Sequence, residues 1–226
     1  MAVRKPVVAI DGPSGAGKST IAAFLAKRFG LLNLESGAMY RATALKALRL
    51  GLPLEDEAAL AAMAEMTAIA LEPTEGGNRV LLDGEDVTTQ LREKDVTQAA
   101  SRVSVHPRVR ALMVAAQQRM GAEGGVVMEG RDIGTVVFPK AEVKIFLDAS
   151  PDARGERRFI QTGPTQGQPS ADDVKRELRE RDERDRTRTE SPLRPAEDAV
   201  LVDSTVLSLD EVKARAEAIV LEKWPG

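Results

Sequence analysis

The chain has 226 residues and a net charge of −3, with 42% apolar and 30% charged residues. That mix supports a buried core and excludes a disordered chain, and so small a net charge gives no overall pull toward nucleic acid or anionic lipid. There is no cysteine and His106 is the single histidine, which excludes disulfides, thiolate metal sites and multi-histidine metal sites. No stretch approaches the roughly 18 apolar residues of a membrane span. The start, MAVRKPVVAIDG, has too short an apolar run for a signal peptide. A cytoplasmic location is the expectation.

Val7-Val8-Ala9-Ile10 is a short apolar run suited to a buried parallel strand. A glycine-rich stretch follows, and then Ile21, Ala22, Leu25, Ala26 and Phe29 recur at helical spacing, with Gly30 placed to stop the helix. Ser36 is suited to cap a second helix through Tyr40, Ala44 and Leu48 to Gly51. Glu55 to Met66 reads as a short helix. Between about residues 67 and 91 the texture changes. Ile69 to Leu71, Arg79 to Leu82 and Glu85 to Val87 are short runs separated by turn residues at 75–78 and 83–85, which predicts a small antiparallel sheet. Helical texture returns from Glu93 to Met120, interrupted near His106-Pro107. Gly125 to Met128 and Val143 to Leu147 read as core strands, Pro151 to Thr162 and Ala171 to Thr187 as helices, with a flexible tip at 162–168. Ala199 to Val202 is a last strand and Leu209 to Lys223 a closing helix. Strands alternating with helices predict a mostly parallel sheet covered on both faces.

Gly12-Pro13-Ser14-Gly15-Ala16-Gly17-Lys18-Ser19 matches G-x-x-x-x-G-K-[ST], between a predicted strand and a predicted helix. Glycines let such a loop aim its N–H groups at phosphate oxygens, and the helix behind adds the positive end of its dipole. Lys18 is then placed for the β- and γ-phosphates and the Ser19 hydroxyl for Mg2+. The motif indicates a nucleotide, not a reaction. A GTPase would carry N-K-x-D, but neither Asn33 nor Asn78 is followed by lysine. Arginines crowd between Arg154 and Arg194, interleaved with acids. Arginine forks bind phosphate in two-pronged fashion, which points to a phosphorylated acceptor. A salt-bridged solvent face is the plain alternative. A nucleic-acid-binding helix is disfavoured because the acids cancel the charge and few aromatics are available to stack on bases.

IDGPSGAGKST, SGAMYR, EGRDIGTVVFP, VKIFLDAS, RDERDRTR and LVDST follow one another along nearly the whole chain. With them the sequence resembles bacterial cytidylate kinase, within the nucleoside monophosphate kinase group. The resemblance implies an α/β, P-loop NTPase-type three-layer fold with a central parallel sheet, a small antiparallel-sheet insertion in the monophosphate-binding region, and a helical lid. It implies one kinase domain over 1–226, with a core at about 1–35, 92–150 and 195–226, the monophosphate-binding region at about 36–91 and the lid at about 151–190. The implied activity is ATP-dependent phosphorylation of CMP and dCMP with Mg2+, in pyrimidine nucleotide metabolism, by a monomer with no nucleic-acid or membrane partner. A kinase acting on UMP or AMP, and an ATP-binding switch without phosphotransfer, remain the alternatives.

The same resemblance distributes roles. Gly12, Pro13, Ser14, Gly15, Ala16, Gly17, Lys18, Ser19 and Thr20 form the ATP site. Arg157 and Arg158 join them from the lid helix that also carries Arg154. Ser36 and Arg41 contact the acceptor, and Arg41 and Arg131 take its phosphate. Asp132, with Ser101 and Arg110, reads the cytosine edge, since a carboxylate can accept from the N4 amino group but not from uracil O4. Arg181 and Asp185 hold the sugar, and Arg181 and Arg188 reach phosphates from one helix face. Lys18, Arg131 and Arg188 carry the catalytic role. Asp203-Ser204-Thr205 resembles the loop near adenine. Glu129 and Asp148 both suit the magnesium water shell, and the sequence does not choose between them. The tip at 163–167 and the inserted segment are expected to move, and His106 has no assigned role.

Overall fold

Every residue of the first strand, β1 (Val7–Asp11), is buried, and its side chains divide by parity. Val8 and Ile10 enter one apolar cluster and Val7 and Ala9 another. A strand whose alternate side chains fill two separate cores must lie in the middle of a sheet. The computed structural model describes residues 4–74, 77–162 and 170–225. It places β1 at the centre of a five-stranded sheet of order β2-β6-β1-β7-β8, with β2 Leu32–Glu35, β6 Val126–Gly130, β7 Val143–Asp148 and β8 Val200–Asp203. All four pairings are parallel. Helices α1 (Lys18–Phe29) and α8 (Leu209–Lys223) supply Ile21, Leu25, Val212 and Ile219 to the cluster on one face. Ile133, Val137 and Ala141 help fill the other. The expected covered parallel sheet is borne out.

Helices α2 (Ser36–Arg49), α3 (Glu57–Glu65), α4 (Lys94–Val103) and α5 (Pro107–Met120) pack on one another through Met39, Leu60, Val103 and Val109. The expected break near His106 is real, with Pro107 opening α5, where its missing N–H costs nothing. The His106 ring binds the Leu54 carbonyl at 2.8 Å, an assignment the sequence left open. The inserted sheet is antiparallel, β3 (Ile69–Thr74), β4 (Gly77–Leu82) and β5 (Glu85–Asp86). It rests its Val80 and Leu82 on Ala38, Ala42 and Leu45 of α2. Helices α6 (Pro151–Thr162) and α7 (Ala171–Thr187) pack on each other, and a Ser170–Asp173 capping box opens α7. Residues 75 and 76 of one predicted turn, and 163–168 of the predicted tip, lie outside the described residues.

Two local expectations are corrected. The sequence signals no strand between Gly30 and Ser36, yet β2 runs there beside β6. Its four residues lie at the sheet edge and only Leu34 is fully buried, so they carry no apolar run. Nor does Ser36 cap α2. Glu35 holds the cap position, and the Ser36 hydroxyl donates to the Glu129 carbonyl at 2.7 Å. A buried carbonyl at the end of β6 takes the hydrogen bond that a solvent-exposed cap would have made locally.

Candidate functional site

The carboxyl ends of the parallel strands lie together, which is where open α/β sheets hold ligands. Gly12 leaves β1 with φ 149°, and a Cβ there would run into the Leu147 carbonyl oxygen, so the turn requires glycine. Gly17 sits in the left-handed region with φ 95° and opens α1. Lys18 is buried and donates to the Pro13 carbonyl at 2.7 Å. Burial and the nearby Arg131 charge push its ammonium down to about 7. The Ser19 hydroxyl donates to the Glu129 carboxylate. Asp148 instead accepts from the backbone N–H of Ala149 at 2.8 Å. Of the two acids the sequence could not separate, Glu129 is the one against Ser19.

Asp11, at the end of β1, was not singled out in the sequence. Its carboxylate accepts from the Ile133 and Gly134 N–H groups at 2.8 and 2.7 Å, fixing the wide turn Ile133–Val137 that follows Arg131-Asp132. Burial pushes Asp11 up to about 6, against the pull of those two hydrogen bonds. A carboxylate directly before the glycine loop was the available signal.

Beyond Lys18 lies a buried network of alternating charge. Arg110, Asp132 and Asp185 expose only 3, 4 and 5% of their surface. Arg131 Nε donates to Asp185 at 2.8 Å, and Arg110 donates to Asp132. Arg188 stands between the two acids, 3.9 Å from Asp132 and 3.7 Å from Asp185. Its Nε donates to the Ser191 carbonyl at 2.6 Å. Burial would raise Asp185, but Arg131, Arg181 and Arg188 together hold it below the usual carboxylate range. Arg181 is brought down to about 10 by burial and by Arg131. Arg41 and Arg158 also bear on Arg181, and Arg181 and Arg131 on Lys18. Arg131 and Arg181 therefore lie near the loop lysine, and Arg188 joins the same charge network through Asp132 and Asp185. Arg110 Nε, Arg181 Nε, Arg188 Nη2 and Tyr40 Oη are buried without a protein hydrogen-bond partner among the described residues. Each such donor costs about 1–3 kcal/mol, so a group of them in one network calls for a polar partner beyond the protein's own groups.

Comparison with known proteins gives the family. The family described as Cytidylate kinase matches residues 8–221. The chain is 49% identical over 219 residues to a cytidylate kinase of Solibacter usitatus, covering 96% of this chain and 93% of that one. It is 47% identical over 212 residues to one of Pasteurella multocida, covering 94% and 93%. The chain belongs to the cytidylate kinase family. Among solved structures, a gluconokinase from Sinorhizobium meliloti matches 97% of this chain and 93% of its own with TM-score 0.50 at 16% identity, which speaks to the fold alone.

In this member of the cytidylate kinase family the remaining expected residues fall as follows. Ser36 and Arg41 lie on the first turns of α2, and Arg41 pairs with Glu35. Ser101 is buried on α4 and accepts from Arg184 Nε at 3.2 Å. Arg157 donates to the hydroxyl and carbonyl of Ser204, tying α6 to the loop after β8. Arg181 and Asp185 stand one turn apart on α7, while Arg188 is the residue that ends it. Sequence reasoning passed over Tyr40, the single tyrosine of the chain, whose ring lies under the Arg110 guanidinium at 5.4 Å. Burial pushes its hydroxyl up to about 12. It also passed over Asn78, which accepts from the Glu35 N–H and donates to the Asn33 carbonyl, fastening the inserted sheet to the edge of β2. No local pattern announces that contact. No helix among the described residues is long and apolar enough to cross a membrane.

Proposed function

We propose that this chain transfers the γ-phosphate of ATP to CMP and dCMP, giving CDP and dCDP. The observation that supports it best is the placement of Arg131 and Arg181 near Lys18, in one charge network with Asp185, Arg188 and Asp132. A backbone anion site and a guanidinium anion site on one cleft are what transfer between two phosphates requires. Family membership adds the acceptor.

The Ser19 hydroxyl and the Glu129 carboxylate are hard oxygen donors in contact at the mouth of the loop. Among the described residues no cluster of three acids or histidines forms a protein-only metal cage. This set fits Mg2+ held by Ser19, by Glu129 through water and by the nucleotide phosphates. Bound Mg2+ would neutralise charge on the β- and γ-phosphates.

Lys18 neutralises the charge spreading over the moving phosphoryl group. Arg41, Arg131 and Arg188 hold the acceptor phosphate in line. That phosphate is already ionised near neutral pH, so no protein base is needed. Asp132, braced by Arg110, accepts from the cytosine N4 amino group, and Ser101 lies on the same side. Asp185, with Arg181, holds the sugar. Arg157 and Arg158 on the α6–α7 lid close over the donor and exclude water, the competing nucleophile. The enzyme works as a cytoplasmic monomer in pyrimidine nucleotide metabolism.

The test is a coupled assay with Mg2+-ATP and the four ribonucleoside monophosphates. CMP should give the highest kcat/KM. Faster turnover of UMP or AMP would move the assignment to another acceptor, and ATP binding without any CDP would indicate a switch protein.

A further inference from the structure

We infer that Arg154 is a positioning residue that sets the phosphate loop and helix α7 in register with each other. This rests on the phosphotransfer reading above and extends it to a residue that touches neither reacting phosphate.

Arg154 is an arginine with 2% of its surface exposed, on the first turns of α6. Its guanidinium serves three parts of the fold at once. Nε donates to the Ala149 carbonyl after β7 at 2.9 Å. Nη1 donates to the Ser14 carbonyl in the glycine loop at 2.9 Å. Nη1 also meets the Asp182 carboxylate of α7 at 2.6 Å. Gly15 packs directly against it, since a Cβ there would lie 3.3 Å from the Arg154 Cβ.

Two consequences follow. In a trans peptide the C=O and the next N–H point to opposite sides. Pinning the Ser14 carbonyl toward Arg154 therefore turns the Gly15 N–H to the other side of the loop, where the donor phosphates bind. On α7, Asp182 adjoins Arg181 and lies three residues before Asp185. Anchoring Asp182 to Arg154 fixes the rotation and height of the face that carries Arg181 and Asp185. The planar fork of arginine fits this task, because one rigid group satisfies acceptors in several directions. Asp182 retains one oxygen with no protein partner among the described residues, so Arg154 is its principal anchor.

The experiment compares Arg154→Met, Arg154→Lys, Asp182→Asn and the double variant Arg154→Met/Asp182→Asn with the wild type. Melting temperature, kcat and the KM for ATP and for CMP are measured on each full chain. Arg154→Met should raise both KM values and lower kcat, each by roughly tenfold, as misplacement of reacting groups does. Asp182→Asn keeps the Ser14 bond, so it should raise the KM for CMP about tenfold and leave that for ATP within about twofold. Arg154→Lys keeps a charge for Asp182 but not the fork, so it should restore the KM for CMP more than that for ATP. The double variant removes the buried charge along with its partner. It serves if Arg154→Met does not fold, and should show both KM values raised. Wild-type constants in the folded variants would overturn the inference. So would a fall in kcat matching the unfolded fraction with both KM values unchanged, since that is a purely structural role. A wild type that makes no CDP would instead defeat the phosphotransfer reading and leave the packing of Arg154 untouched.

Discussion

The two anion sites proposed for this molecule are built by opposite means. The donor cradle is backbone: one contiguous segment, Gly12 to Ser19, in which glycine conformations and one lysine do most of the work. The acceptor site is side chain: guanidinium and carboxylate groups from α5, the end of β6 and α7 with its cap, packed against one another. The first costs little to fold without ligand, because N–H groups at a helix start are unpaired in any helix. The second gathers like charges, and is kept by acids threaded between the arginines. Removing the cradle lysine should therefore damage chemistry and spare stability. Removing one member of the acceptor network should damage both.

Lys18→Ala is the largest expected effect on turnover. It should lower kcat by about a thousandfold or more. It should not lower the melting temperature, because the lost group is a buried ammonium already pushed toward neutrality. A marked loss of stability would erase the contrast. Arg131→Ala should lower kcat/KM for CMP by about a hundredfold, and it leaves Asp185 without its 2.8 Å partner. Breaking such a buried pair costs about 3–5 kcal/mol, read as a lower urea midpoint. An unchanged midpoint would mean the acceptor network is not a folding element. Asp132→Asn should narrow the preference for CMP over UMP by about tenfold, within the 1–3 kcal/mol of one base-edge contact. An unchanged ratio of kcat/KM values would place base reading elsewhere.

The smallest effect is on pH. Burial lowers Lys18 to about 7, and bound polyphosphate favours its charged form. The free protein therefore loses this proton as pH rises through 7, and binding must take it back. ATP affinity should fall about fivefold between pH 7 and pH 8 by linkage, with proton uptake visible when calorimetry is repeated in buffers of different ionisation enthalpy. Affinity that is flat over this range, with no proton uptake, would show that Lys18 stays charged in the free protein.

The same contrast explains what the sequence disclosed. The glycine loop was legible because its chemistry is local, and β1 and α1 were legible because apolar periodicity marks them. Strand β2 was not, since an edge strand of four residues with only Leu34 buried has no such pattern. The acceptor arginines were visible as a crowded segment, but charge alternation alone fits a solvated face equally well. Only the family resemblance separated Arg181, Asp185 and Arg188 from their neighbours. Asp11, Tyr40, Arg154 and Asn78 act through contacts tens of residues away, and nothing in their local sequence marks the partner. Of the two readings of Ser36 the helix cap fails, its hydroxyl serving the Glu129 carbonyl and not the helix end.

Binding of one linked ligand, cytidine and adenosine joined through five phosphates, measures the facing of the two sites most directly. If the glycine loop and the arginine network share a cleft, a single such molecule binds each chain, displaces both ATP and CMP, and is weakened by Lys18→Ala and by Arg188→Ala alike. Displacement of only one nucleotide, or two linked ligands held per chain, would show sites that do not confront each other.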